Sequence, residues 1–264
     1  DPTMRVVGIS ATWDFNSDGF AFVEDCLELG AGRYLDVISL HPYTWPRAPE
    51  ERGVEQMLAL VRRLRDTHAP HAEIWATEWS YVSPVCEPGR PVTQKGAEVT
   101  DPFGNSALDV AAFYVRSALL HLAGGCERTS VMGSIADGHV PYRGAGMTWV
   151  DYDNTPLPVY LAWHELVRHV AGARFERRAD LPDAFRGLLW QDDADDAREL
   201  ILWQTQSGTW DAGPIAPDLE VRDVFGRKLS GRLTVSATPV YITGNPSAMM
   251  ELLGRFAAGK TPGP

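Results

Sequence analysis

Cysteine is scarce in this chain of 264 residues: Cys26, Cys86 and Cys126 stand at wide, irregular spacings. An odd and scattered set makes neither a disulfide framework nor a zinc site, so buried thiols or a single optional bridge are expected. No apolar run approaches the roughly 18 residues a membrane span requires. The opening residues Asp1-Pro2-Thr3-Met4-Arg5 lack the basic, apolar and small-residue order of a signal peptide. A soluble protein is therefore expected, with its compartment, cytoplasm or secreted with the signal lost, unwritten. Basic stripes are missing as well. The formal charge of −11 is spread over short acidic clusters such as Asp192, Asp193, Asp195 and Asp196, which excludes nucleic acid as a partner. No cluster has metal-ligand spacing, no Gly-rich loop follows a strand in a phosphate-binding pattern, and no Gly-x-Ser-x-Gly elbow occurs. No cofactor is expected.

What is present is an alternation of short apolar runs and amphipathic stretches over the first 170 or so residues, the pattern of repeated βα units. Val6 to Ser10, Asp36 to His41, Glu73 to Glu78 and Thr129 to Ile135 read as four strands. Between them, Phe20, Val23 and Leu27 recur at helical spacing, and Val54, Met57, Leu58, Val61 and Leu64 form one apolar stripe opposite arginines. Asn105 or Ser106 can cap a third helix, and Pro156 or Pro158 opens a fourth that ends near Gly172. Beyond Gly172 the period shifts to alternation, with a hairpin at Gly187–Trp190 and Glu199–Trp203 and more short strands to Ile242. The expected fold class is α/β: half of a (β/α)8 barrel over residues 1–172, then a small antiparallel β-sandwich over 173–244. Residues 245–264 are expected to be a C-terminal tail holding a short helix around Met249 to Phe256.

In parallel βα units the functional groups sit where the strands stop. Here the strand ends are polar: His41-Pro42-Tyr43, Thr77-Glu78-Trp79 and Asp137-Gly138-His139. A carboxylate at a buried strand end must be satisfied by donors, and that cost marks Glu78 as the sharpest signal in the chain. Tyr43, Trp45, Trp79 and Trp149 offer ring faces of the kind that stack on pyranoses, with Tyr81, Tyr142 and His139 as weaker candidates. Trp190, Trp203 and Trp210 are expected in the sandwich core.

The run Asp36-Val37-Ile38-Ser39-Leu40-His41-Pro42-Tyr43, followed after a helix by Ile74-Trp75-Ala76-Thr77-Glu78-Trp79, resembles strands six and seven of the clan A glycoside hydrolases. The branch it is most similar to is the β-xylosidase and α-L-iduronidase type. Gly146 to Ala162 resembles the loop and helix after strand eight, and Asp223-Val224-Phe225-Gly226 with Pro239 to Ile242 the family's C-terminal sandwich. The resemblance implies retaining hydrolysis of a carbohydrate glycoside, with Glu78 as nucleophile and His41, Tyr43, Trp45, Trp79 and Trp149 lining the substrate pocket.

The departures from that pattern are specific. Four strands precede the sandwich where a closed barrel has eight. The clan places its general acid/base on a Glu after an Asn, and no Asn-Glu pair occurs in the sequence. Asp14, Glu87, Asp101 and Asp137 lie on loops at the same end as possible substitutes. A half-barrel would expose strand edges and an apolar interior, so a homodimer or a missing N-terminal half-barrel is expected to cover them. The alternative function is an inactive carbohydrate-binding or dimeric scaffold pseudoenzyme that keeps the aromatic mouth without the catalytic pair.

Overall fold

A computed structural model of the chain describes residues 3–13, 19–84, 100–135, 147–194 and 197–257. The first part is a parallel sheet with helices on one face. Its elements are β1 (Val7–Trp13), α1 (Gly19–Glu28), β2 (Val37–Pro42), α2 (Val54–His68), β3 (Glu73–Ala76), α3 (Ala107–Ala123) and β4 (Arg128–Thr129). The four strands lie in the order β1-β2-β3-β4, all parallel, with Ile38 opposite Ile74 and Ala76 opposite Thr129. The fourth strand is shorter than its apolar run suggests. Pairing stops at Thr129, and the chain resumes as β5 (Ser134–Ile135) in a separate two-stranded parallel sheet with β6 (Thr148–Val150).

Helix α2 buries the stripe Val54, Met57, Leu58, Val61 and Leu64 against Ile38, Leu40, Ile74 and Ala76 in one continuous core. Helix α3 opens on a reciprocal cap: Asp109 N–H donates to the Ser106 hydroxyl, and Ser106 N–H donates to the Asp109 carboxylate. Helix α4 (Pro158–Val170) carries Pro158 in its first turn, where a missing N–H costs nothing.

An apolar barrel interior was the expectation, and the concave face corrects it. Ser10, Ser39 and Thr77 join their hydroxyls across three strands at 2.9 and 2.5 Å. Below them Arg5 and Arg128 both lie over the Trp75 ring, 5.1 and 4.5 Å from its centroid, and Arg5 pairs with Glu73 at 3.0 Å. The alternation along β2 and β3 sends Ile38, Leu40, Ile74 and Ala76 to the helices and leaves Ser39, His41, Glu73 and Thr77 on the other face, with Val37 and Trp75 among them.

The second part runs through β7 (Ala173–Arg178), β8 (Phe185–Asp192), β9 (Arg198–Gln204), β10 (Trp210–Pro214), β11 (Leu219–Arg222), β12 (Lys228–Leu229), β13 (Arg232–Val235) and β14 (Val240–Gly244). Six of these form an antiparallel sheet in the order β12-β11-β14-β9-β8-β7, and β10 pairs with β13. A final helix, α5 (Pro246–Ala257), is no loose tail. Met249, Leu252, Leu253 and Phe256 are buried with Leu200, Leu202 and Ile242, and Phe256 lies 4.0 Å from the Trp210 ring. The opposite face of the sheet, with Trp190, Trp203 and Tyr241, joins the core of the first part, so residue 172 marks a change of period but no gap in packing.

Polar groups cross the same junction. On α4, His169 meets Glu165 at 3.0 Å and, from β9, Glu199 at 2.7 Å, and it stacks 4.0 Å from the Tyr241 ring of β14. Arg168 reaches Glu165 from the solvent side. Burial alone would lower the His169 pKa, but hydrogen bonds and charge from Glu199 and then Glu165 outweigh it and raise the value. Burial raises Glu199, against the opposing pull of His169.

Both shifts mean that the folded protein holds protons the unfolded chain has released. Stability from this cluster is therefore full at low pH and falls as pH rises, first past the ordinary carboxylate range for Glu199 and then past the imidazole range for His169. Denaturant midpoints between pH 5 and 9 are expected to fall with pH in the wild type and to fall less steeply in His169→Gln. Equal slopes would mean the cluster contributes nothing to the titration of stability.

Candidate functional site

Two loops leave the C-terminal ends of adjacent parallel strands and carry the site. After β2, Tyr43 N–H bonds back to His41 C=O at 2.9 Å, which turns Tyr43 over the sheet end. After β3, Thr77 N–H donates to Leu40 C=O at 2.9 Å, and on the other side Met132 N–H donates to Trp79 C=O at 2.9 Å. Glu78 is thus held between two fixed backbone positions. Its carboxylate accepts the Tyr43 hydroxyl at 2.5 Å. Burial, and then the Glu78 carboxylate itself, push the Tyr43 phenol far above its ordinary pKa. The phenol keeps its proton and donates it to Glu78, which holds one carboxylate oxygen in place.

His41 is half-buried, opposite Thr12 in register, and by alternation shares the concave side with Ser39. Trp45 is half-buried on the loop after β2, its ring 5.7 Å from Phe103. The structure therefore brings Glu78, Tyr43, His41 and Trp45 to one end of the sheet.

Two of the expected aromatics belong elsewhere. Trp79 is 1% exposed and packs among Tyr114 and His121 of α3 and Trp163 of α4, while its indole N–H donates to Thr129 at 2.8 Å. Strict alternation from Trp75 and Thr77 would have kept it on the concave face. The chain bends at Glu78, and the bend turns Trp79 into the helix layer. It has no face for a ligand. Trp149 stands edge-on to Tyr114 at 5.6 Å and beside Trp163 at 5.5 Å, with its indole flat against Gly133. It is mainly a packing residue.

Asp101, expected as a possible substitute carboxyl, is bound up in its own loop. It is 5% exposed and accepts from Phe103 N–H, Asn105 N–H and the Asn105 side-chain amide, each at 2.8 Å, so it ties its own loop. Asp14, Cys86, Glu87, Asp137, His139 and Tyr142 lie outside the described residues. Cys126 is a buried free thiol and Cys26 a partly buried one. Among the described residues no group of three or more His, Cys, Asp or Glu side chains gathers as a metal site, and no helix is long and apolar enough to cross a membrane.

Tyr81, a weaker candidate for a sugar face, also has no face for a ligand and belongs to the layer behind the site. Tyr81, fully buried, bonds the Thr44 hydroxyl and the Ser117 hydroxyl of α3, the latter at 3.0 Å, and Tyr114 donates to Tyr81 C=O at 2.9 Å. Thr44 follows Tyr43 and Tyr81 lies three residues after Glu78, so this network ties both loops to one helix. A hydroxyl residue beside each candidate was the available signal, but nothing in spacing pairs them.

No protein-family model and no curated protein sequence matches the chain. Solved structures do. A family 39 glycoside hydrolase from the gut symbiont Bacteroides cellulosilyticus WH2 superposes with a TM-score of 0.60 at 18% identity, over 85% of this chain and 47% of that one. A glucosidase from Croceicoccus marinus gives 0.58 at 14% identity, over 92% of this chain and 60% of that one. The chain thus shares its fold with about half the length of these enzymes.

Removal of the Tyr81 hydroxyl strands two buried hydroxyls. Tyr81→Phe is expected to lower unfolding free energy by about 1–3 kcal/mol, read from urea denaturation; an unchanged midpoint would show that Thr44 and Ser117 find other partners.

Proposed function

We propose that the chain is the C-terminal part of a retaining glycoside hydrolase in which Glu78 attacks the anomeric carbon. The observation that carries this reading is the Glu78 carboxylate at a β-strand end, oriented by a phenol that keeps its proton. The shared fold with glycoside hydrolases supports it. A nucleophilic carboxylate must be ionised and aimed. The Tyr43 donor engages one carboxylate oxygen and so fixes which oxygen is free to attack.

Retention needs a second carboxyl roughly 5–5.5 Å from the first, to protonate the leaving oxygen and later activate water. We assign that group to the strands that would complete the barrel beside β1. The exposed Met4, Val6 and Val7 lie at that edge. A second reading rests on the absence of another candidate carboxyl beside Glu78 among the described residues: a carbohydrate-binding scaffold without chemistry.

Dinitrophenyl 2-deoxy-2-fluoroglycosides separate the two, because dinitrophenolate leaves without a proton and the first step needs only the nucleophile. The C1–O bond to the phenolate breaks, the phenolate departs with its electron pair, and C1 bonds to a Glu78 oxygen. A stoichiometric burst and a fluoroglycosyl adduct on the Glu78 peptide are expected, lost in Glu78→Ala and slowed roughly ten- to hundredfold in Tyr43→Phe, the worth of one hydrogen bond to a charged group. A panel of such glycosides that leaves the protein unlabelled at every concentration would rule in favour of the scaffold.

A further inference from the structure

At the rim of the site a large apolar ring is held out into solvent on a rigid loop. Phe103 is 51% exposed. Its segment is tied by three hydrogen bonds to the buried Asp101 carboxylate and by the backbone pair Asp101 N–H to Asn105 C=O at 2.8 Å. Immediately afterwards the Ser106–Asp109 capping box starts α3. The loop is also fastened to its neighbour, since the Asn105 amide donates to Pro46 C=O at 2.9 Å. The Phe103 ring thereby stands 5.7 Å from Trp45, with 37° between the planes.

That polar lock is not needed to bury anything at Phe103. A free rim loop would let such a ring fold back onto apolar surface, as a mobile phenylalanine does in water. Here two loops are joined to keep it presented. Trp45 follows Tyr43, whose phenol holds Glu78, by two residues, so their Cα atoms lie at most about 7 Å apart. Both loops follow strands at the same end of the sheet, where ligands of βα folds bind.

We infer that Trp45 and Phe103 form a second, apolar subsite beside Glu78, which takes the face of a second pyranose ring, so the preferred ligand is an oligosaccharide of two or more units. A pyranose presents a patch of C–H groups on one face, and an aromatic face matches it without demanding particular hydroxyls. This inference rests on the reading of Glu78 as the sugar-binding centre. Its own content is the length of the ligand and the part played by Phe103.

The test is calorimetric titration of the full chain with xylose, xylobiose and xylotriose and with glucose, cellobiose and cellotriose. In the wild type the disaccharide of one series is expected to bind roughly three- to tenfold more tightly than its monosaccharide, the worth of one aromatic contact. Phe103→Ala is expected to bring the disaccharide down to the affinity of the monosaccharide, and Phe103→Trp to keep the gain. Equal affinities in the wild type, or a gain that survives Phe103→Ala, overturn the subsite and leave the reading of Glu78 standing. Failure of every sugar to bind overturns both.

Discussion

The arrangement of the mouth depends on one buried carboxylate. Glu50, on the loop that also carries Tyr43 and Trp45, pairs with Arg116 of α3, whose side chain is 1% exposed, and accepts the indole N–H of Trp203 from β9 at 2.7 Å. Three parts of the chain thus meet at one group: a loop of the parallel sheet, a helix behind it and a strand of the antiparallel sheet. Such a pair adds little net stability over an apolar replacement, but removal of one partner leaves a bare buried charge and costs about 3–5 kcal/mol. Its value lies in fixing position. Glu55, one turn away at the start of α2, repeats the device with Arg178 and Arg186 of β7 and β8. The two arginines outweigh burial and hold its carboxyl below the usual range. The antiparallel sheet is therefore part of the scaffold of the site, although it contributes no residue to the mouth.

A second constraint works from below. Trp79 and His121 fill the space between β3 and α3, and Thr129 meets both, at 2.8 Å from the indole N–H and 3.2 Å from His121 Nδ1. Burial alone pulls His121 down to about 3, so it stays neutral over any ordinary pH and behaves as a polar core residue. With Trp79 pinned, Glu78 next to it cannot swing. Hydroxyls then tie the two loops to α3 through Thr44, Tyr81 and Ser117. The Glu78 carboxylate is thus held by groups behind the mouth, the kind of support a preorganised site requires.

Local patterns in the sequence were enough for the helices, for the first three parallel strands and for the position of Glu78 just past the third. The α2 stripe, the Ser106 cap and the Pro158 start are short-range features, and the structure realises each of them. The long-range partners were not legible. Arg116 is 66 residues from Glu50 and Trp203 is 153 away, and periodicity carries no information at such distances. Trp79 was misplaced because alternation assumes a straight strand, whereas the chain bends at Glu78. The short helix around Met249 to Phe256 was legible from its apolar spacing, whereas its seat on the antiparallel sheet was not. Phe103 was passed over for a plainer reason: one phenylalanine in a Pro-Gly loop has no pattern at all.

The concave face sets what an assembly of this chain has to provide. Closed barrels fill their interior with branched apolar side chains, and a half-barrel with such a face would need its other half simply to stay folded. Here the hydroxyls of Ser10, Ser39 and Thr77 satisfy one another, and Arg5, Glu73, Trp75 and Arg128 form a charged layer beneath them. That face tolerates water as it stands. The unmet demand lies at the outer strands, the short β4 and β1, where backbone groups lie beside exposed Met4, Val6 and Val7. Edge pairing is satisfied by any strand of compatible register. Under the proposed retaining mechanism, what completes the sheet matters for the second carboxyl it would bring more than for the stability of the sheet.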